Sequence, residues 1–330
     1  MSEYFDPMHQ AAVGRMRRGL TARTEWPTWL LVLVIYGGWF GTMTALHRHA
    51  LPSWLATPLL IVLCVWYLSL QHELLHGHPT RSVVFNKLLG FAPLAVWYPY
   101  TLYRDSHLRH HRDEDLTMPG VDPETNYVHP AAWRAMRGWH RGLWHVRKTF
   151  VGRLLLGPPL AVAAMVRDAG QGFRRRDLHY LPMWLTHLVA VGAMLGWIAR
   201  YSGLPVWHYP LLVAWPALAV AMVRSFYEHR AAPGAASRIA INEAGFLMRL
   251  LYLNNNFHLV HHDLPALPWY QLPKVYRMRR AAYIEKTAGF WIEGGYWSLF
   301  RRYALRQIDS PAHPFVDRPA TESTRAAVDG

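Results

Sequence analysis

Four stretches of the chain carry no Asp, Glu, Lys or Arg: residues 26–47, 50–71, 178–199 and 201–223. Each is long enough for the roughly 20 helical residues that cross a hydrocarbon core. One such run could be a buried soluble core, but four in a chain of 330 residues point to a membrane protein. The expected fold is therefore all-α, with four transmembrane helices at about 27–47, 50–71, 178–199 and 202–223. Pro52, Pro58, Pro205, Pro210 and Pro216 fall in or beside these runs, so kinks or late starts are expected there. Two shorter uncharged stretches, 88–103 and 154–166, are interrupted by proline and read as interfacial helices.

Basic residues give an orientation. Arg15, Arg17, Arg18 and Arg23 precede the first run, and Arg174, Arg175 and Arg176 stand between the second and third, whereas the two opposite turns carry only Arg48 and Arg200. By the positive-inside rule both termini face the cytoplasm of a multi-pass inner-membrane protein. The net charge of +14 is then mainly an inner-face charge attracted to anionic headgroups, and no nucleic-acid recognition motif competes with that reading. The single cysteine, Cys64, excludes an intrachain disulfide and a multi-thiolate metal site. The first apolar run is too long for a cleavable signal's core and lacks a clear cleavage site. Residues 1–309 read as one membrane-embedded domain, and 310–330, rich in Pro, Ala, Thr and charge, as a disordered tail.

Chemistry enters with 20 histidines. His72-Glu73-Leu74-Leu75-His76 matches the H-E-x-x-H of zinc peptidases, but at this histidine content roughly one H-x-x-x-H arises by chance. Two H-x-x-H-H triplets, His107/His110/His111 and His258/His261/His262, are far rarer. On a helix, positions i, i+3 and i+4 share a face, while adjacent residues diverge by about 100°. One metal cannot easily collect both adjacent rings; two neighbouring metals can. With His72 and His76 the boxes supply eight imidazoles, more than the roughly six positions of one octahedral ion. His229 is a ninth candidate, just past the fourth run, and all nine fall at one depth on the cytoplasmic side. Imidazole without thiolate suits iron, zinc or copper. Acids flank the boxes at Glu73, Asp105, Asp113, Glu114, Asp115, Glu228 and Asp263, of which Glu73 and Asp263 are the candidates to orient ligand N–H groups.

At HELLH, HLRHH, EHR and NNFHLVHH, in that order and at these separations, the sequence resembles the membrane-bound fatty acid desaturase superfamily, over roughly residues 26–274. The stretches LTMPGVDPETNY and HHDLPALPWYQLP resemble its bacterial branch. The resemblance implies four spans, a cytoplasmic cap and two iron ions held by His72, His76, His107, His110, His111, His229, His258, His261 and His262. Some relatives carry an asparagine one turn before the extra histidine; here Ser225 stands there, which leaves Asn254 as a substitute. The implied activity is an O₂-dependent desaturation of a fatty-acyl or similar lipophilic chain, with hydroxylation or ketolation as the alternative. A separate reductase and ferredoxin-like carrier would deliver electrons, since no such module is fused. Trp97-Tyr98-Pro99-Tyr100 and Trp269-Tyr270 are candidates to line the substrate's path. The rival from another class is an intramembrane zinc peptidase with Glu73 as base, which leaves both triplets unexplained. His187 reads as a packing residue, His78 as a local contributor cut off by Pro79, and His9, His47, His49, His129, His140, His145, His179, His208 and His313 as solvated or interfacial.

Overall fold

The computed structural model describes residues 7–316 and is predominantly helical. Among the described residues, five helical segments are long and apolar enough to cross a membrane: Trp26–His47, Ser53–Leu75, Phe150–Arg174, Leu181–Ser202 and Tyr209–Tyr227. Lipid offers no partner to backbone amides, so uncharged sequence of this length closes its hydrogen bonds within helices. The outward faces stay apolar; Leu33 is 68% exposed and Val189 72%, as suits side chains meant for acyl chains.

Four of the five overlap the runs read from sequence, with shifted ends. Gly203 adopts a left-handed conformation (φ 72°) and closes the Leu181–Ser202 helix, so the next segment cannot begin at 202. It starts after Pro205 with a π-helical turn, Tyr209–Ala214, and continues as Trp215–Arg224. Pro216 has no N–H to give an α-helical bond, and the π turn precedes it directly.

The fifth helix is longer than the sequence suggests. Residues 154–166, read as a short interfacial stretch, lie inside the 25-residue helix Phe150–Arg174. Arg153, Arg167 and Asp168 break the charge-free run and hide its length, while Pro158 and Pro159 fail to end it. Thr149 starts it, its Oγ1 accepting from Gly152 N at 2.9 Å. The other interfacial stretch, 88–103, is divided among helix Val83–Phe91, a 3₁₀ turn at Pro93–Ala95 and helix Tyr100–His110.

Ser53–Leu75 is the central helix; from Leu63 onward nearly every residue is buried. Its polar side chains bind the returning segment: Tyr67 donates to Gly90 O at 2.7 Å and Gln71 to the same carbonyl at 3.1 Å. Asn86 reaches back to Leu74 O at 3.0 Å. These bonds fix where the helix ends, and so where the first histidine box sits.

A second, smaller core lies beyond the helix ends. Leu116, Ile239, Ile241, Phe257, Leu259, Val275 and Tyr283 pack together there with Val13 of the N-terminal helix. A two-stranded parallel sheet, Ile241–Asn242 against Trp291–Ile292, ties its far segments. The tail expected from residue 310 is packed as far as the described residues go. His313 N donates to Val128 O at 3.0 Å, Val128 N to Pro311 O at 2.9 Å, and the His313 ring is fully buried against Thr117. Residues 317–330 lie outside the described residues.

Candidate metal centre

Four elements deliver histidines to one place. His72 is on the last turn of Ser53–Leu75, and His76 caps it. His107 and His110 lie on Tyr100–His110, which His111 caps. His229 follows the 3₁₀ turn Ser225–Tyr227 and is held by a backbone bridge to Ile239. His258, His261 and His262 occupy the short buried helix His258–Asp263.

The nine rings divide into two groups. His72, His76, His107, His111 and His261 form one; His110, His229, His258 and His262 the other; within each, the ligand-type nitrogens lie within 4.8 Å of one another. Adjacent residues part company: His110 from His111, and His261 from His262. The 100° step between neighbours on a helix demands this.

The Nε2 atoms point at each other. In the first group His111 Nε2 lies 3.0 Å from His107 Nε2 and 3.1 Å from His261 Nε2. In the second, His229 Nε2 lies 2.9 Å from those of both His110 and His258, with His262 Nε2 3.2 Å from His258 Nε2. Metal–imidazole bonds run about 2.0–2.1 Å, so nitrogens at right angles around one ion stand about 3.0 Å apart. The Nε2 atoms of His72 and His76 are buried without a hydrogen-bond partner. Buried polar atoms left so are rare in proteins. A cation at the centre of the first group would satisfy these atoms, and the nitrogens of the second converge in the same way, so the residues present fit two metal ions.

Protonation agrees. Burial, reinforced by neighbouring imidazoles, pushes His76, His229, His258, His261 and His262 well below the ordinary histidine pKa of 6.5, leaving neutral rings. His110 is the exception: burial lowers it, but Glu124 and Asp122 more than offset that and raise it.

The Nδ1 atoms face oxygens on the outer side. His110 Nδ1 is 2.9 Å from Asp122 Oδ1, and His107 Nδ1 is 3.1 Å from Glu124 Oε1. Glu228 Oε1 stands 3.7 Å from His258 Nδ1, and Glu73 Oε1 3.5 Å from His72 Nδ1. A carboxylate behind a ligating histidine fixes its tautomer and adds charge to balance the metal. Asp122 is itself anchored, accepting from Thr117 N and Glu124 N at 2.8 Å each. Burial alone would raise the Glu124 carboxyl, but His107 and His110 outweigh it and hold it far below the usual carboxylate range.

Sequence reasoning missed Asp122 and Glu124, which sit in a loop without periodicity, and it misassigned others. Asp263 turns away to Lys286, 2.6 Å distant, because the helix carrying His261 and His262 presents it to the opposite side. Asn254 is engaged by Arg249 and Trp269 O, while its neighbour Asn255 lies 3.4 Å from His258 Nδ1. Asp105 pairs with Arg104, and Glu114 and Asp115 form a 3₁₀ turn; the side chain of Asp113 lies outside the described residues. Ser225 accepts from Arg153 at 2.9 Å. His78 meets Glu25 at 2.9 Å, and His187 bonds Val96 O at 2.8 Å. His9, His208 and His313, expected to be solvated or interfacial, are buried.

A cavity of about 990 Å³ opens beside both groups, touching His107 and His110 on one wall and His229 and His258 on another. Leu160, Ala163, Met165, Leu218 and Met222 give it an apolar part, while Arg147, Arg153, Arg224 and Glu228 give it a charged one. Tyr98 lines it; Trp97, Tyr100, Trp269 and Tyr270 do not.

A comparison with individual curated proteins returned no match. The family described as "Fatty acid desaturase" matches residues 51–294, well over half of the chain and inclusive of all nine histidines. The chain belongs to the fatty acid desaturase family.

Proposed function

We propose that the chain is an O₂-dependent oxidoreductase that holds two iron ions and introduces a double bond into a fatty-acyl or similar lipophilic chain. The observation that carries this reading is the division of nine buried or partly buried imidazoles into two adjoining sets of convergent nitrogens beside a cavity with an apolar part. His72, His76, His107, His111 and His261 would hold one ion, and His110, His229, His258 and His262 the other. Bound there, iron supplies dioxygen reduction and the removal of hydrogen from an unactivated C–H bond.

The protein's own contributions are positional. Neutral rings offer lone pairs without first losing protons. Asp122 and Glu124 fix two rings from behind and bring negative charge to an otherwise neutral ligand set. The apolar cavity walls align a hydrocarbon chain and keep water from the reacting carbon. Electrons come from a separate reductase and carrier.

Four crossings, with the histidines gathered beyond one end of the spans, are supported by where the helix ends are tied; the basic residues before the first span and around residues 174–176 put that end in the cytoplasm. Arg153, near the start of Phe150–Arg174, donates to Ser225 Oγ at the inner end of the last span. Tyr180, just beyond that helix, donates to Asp105 Oδ2 at 3.2 Å, two residues from His107. Both ends of Phe150–Arg174 are therefore at the depth of the metal groups, as for a helix lying along the interface. Leu181–Ser202 starts at that depth and ends where Tyr201 stacks on His47 at 4.4 Å, at the opposite end of the first span.

The peptidase reading finds little support. Glu73 accepts from Trp269 N at 3.0 Å and is only 3% exposed, which removes it from a water-activating position. The deciding experiment supplies purified protein, reductase and carrier with lipid and oxygen, and follows product mass. Loss of two hydrogens supports desaturation, and gain of one oxygen the hydroxylase alternative. No oxygen-dependent product with any electron donor, despite bound iron, would overturn the proposal.

A further inference from the structure

The charges in the cavity wall are unevenly paired: Glu124, Asp168, Asp177 and Glu228 line it beside five arginines. Of the arginines that line it, Arg224 stands 3.5 Å from Glu228, Arg167 stands 3.0 Å from Asp168, and Arg109 is exposed. Arg147 and Arg153 have no carboxylate within ion-pair distance among the described residues. Lys148, next to Arg147, has Asp309 at 2.5 Å, and Glu228, which also acts on Arg153, stands against Arg224.

Arg153 is 6% exposed, and its three recorded bonds all go to neutral acceptors: Met222 O at 3.3 Å, Asn126 Oδ1 at 2.8 Å and Ser225 Oγ at 2.9 Å. Arg147 donates to the same Asn126 Oδ1 at 3.2 Å, lies 4.7 Å over the Trp144 ring, and keeps its Nε buried without a partner. A guanidinium has five N–H donors in a rigid fork matched to carboxylate or phosphate. Here two forks flank one neutral amide oxygen. A buried, unpaired charge is costly unless something compensates it. Both residues line the cavity, close to the metal groups: Asn126 is two residues from Glu124, which holds His107, and Ser225 is four residues before His229.

We propose that Arg147 and Arg153 form an anion subsite that binds the carboxylate or phosphate head of a single-chain amphiphile lying in this cavity. This rests on the cavity's being the substrate site, and it narrows the substrate from a lipophilic chain in general to one with an anionic head drawn into the protein. The apolar stretches 160–165 and 218–222 take the chain, and the guanidinium pair sets which carbons reach the metals.

The test measures equilibrium binding of labelled hexadecanoate, hexadecyl phosphate and hexadecanol to full-length protein in nanodiscs of neutral phosphatidylcholine, with iron measured on the same samples. At least one anion should bind about tenfold or more tightly than the alcohol, as charge-assisted bonds to a guanidinium warrant; the tighter of the two identifies the head. Asn126→Asp is the sharper variant. It gives both arginines an internal carboxylate, so the fold is kept or strengthened while the anion preference falls to about twofold or less. Arg147→Gln should lower the preference likewise. Equal binding of all three probes to the wild type, or an undiminished preference in Asn126→Asp, would overturn the subsite. Anion preference without iron would instead overturn the oxidative reading and leave the subsite standing.

Discussion

The two histidine groups are built from the same ring and differ in number and backing. The first gathers five imidazoles, drawn from all three boxes; the second gathers four, and depends on His229, which belongs to none of them. Behind the second group Asp122 is 2% exposed in its side chain and held by two backbone amides, whereas Glu124, behind the first, is 29% exposed. The first group has a ring to spare, and its support is tight at Glu73 but looser at Glu124. The second has fewer rings, and its Asp122 is held more stiffly than Glu124. Ligand number and rigidity of support are alternative ways to hold an ion in a fixed place.

The largest effect expected from this contrast is in ligand removal. His229→Ala leaves the second group with three rings and should cost one metal and all measurable turnover. His76→Ala leaves the first with four, so more metal should survive gel filtration, read as metal per chain. Equal losses would break the distinction. Next comes the support. Asp122→Asn should weaken metal binding by about 10- to 100-fold, in the range known for carboxylates behind ligating histidines, and Glu124→Gln by less. Chelator competition measures both, and the reverse order would contradict the role given to rigidity.

A pH effect follows from burial. In the metal-free chain, the pKa values of His258, His261 and His262 lie well below the unfolded value of 6.5. The unfolded state then binds more protons, so stability is full above about pH 6.5 and falls as pH drops below it. The thermal midpoint of the apoprotein should therefore decline between pH 7.5 and 5.5, and two bound metals should reduce that slope. A flat profile would mean the rings are solvated without metal. The smallest effect is reserved for Asp263→Asn. It breaks the partly buried pair with Lys286, at a cost of about 1 kcal/mol, and should leave metal content unchanged.

What was legible in the sequence follows the range of the interactions concerned. The three boxes could be read because i, i+3, i+4 spacing is a local property of a helix, as His107, His110 and His111 show. Four of the apolar segments could be read because lipid imposes length and lack of charge on contiguous residues. Asp122 and Glu124 could not, since their loop is shaped by contacts distant in sequence, including Val128 with Pro311 and His313. Their one signal was an acid-rich turn, VDPE, soon after the second box. Arg153 illustrates the converse error. A charge that breaks an apolar run reads as a boundary, yet here it is buried at the cavity and the helix continues through it.

Metal stoichiometry measured on full-length protein purified without chelators tests the two-group architecture most directly. The account predicts about two iron ions per chain, with His229→Ala reducing this to about one. A single zinc per chain, unaffected by loss of His229 and accompanied by peptide cleavage that Glu73→Gln abolishes, would contradict it.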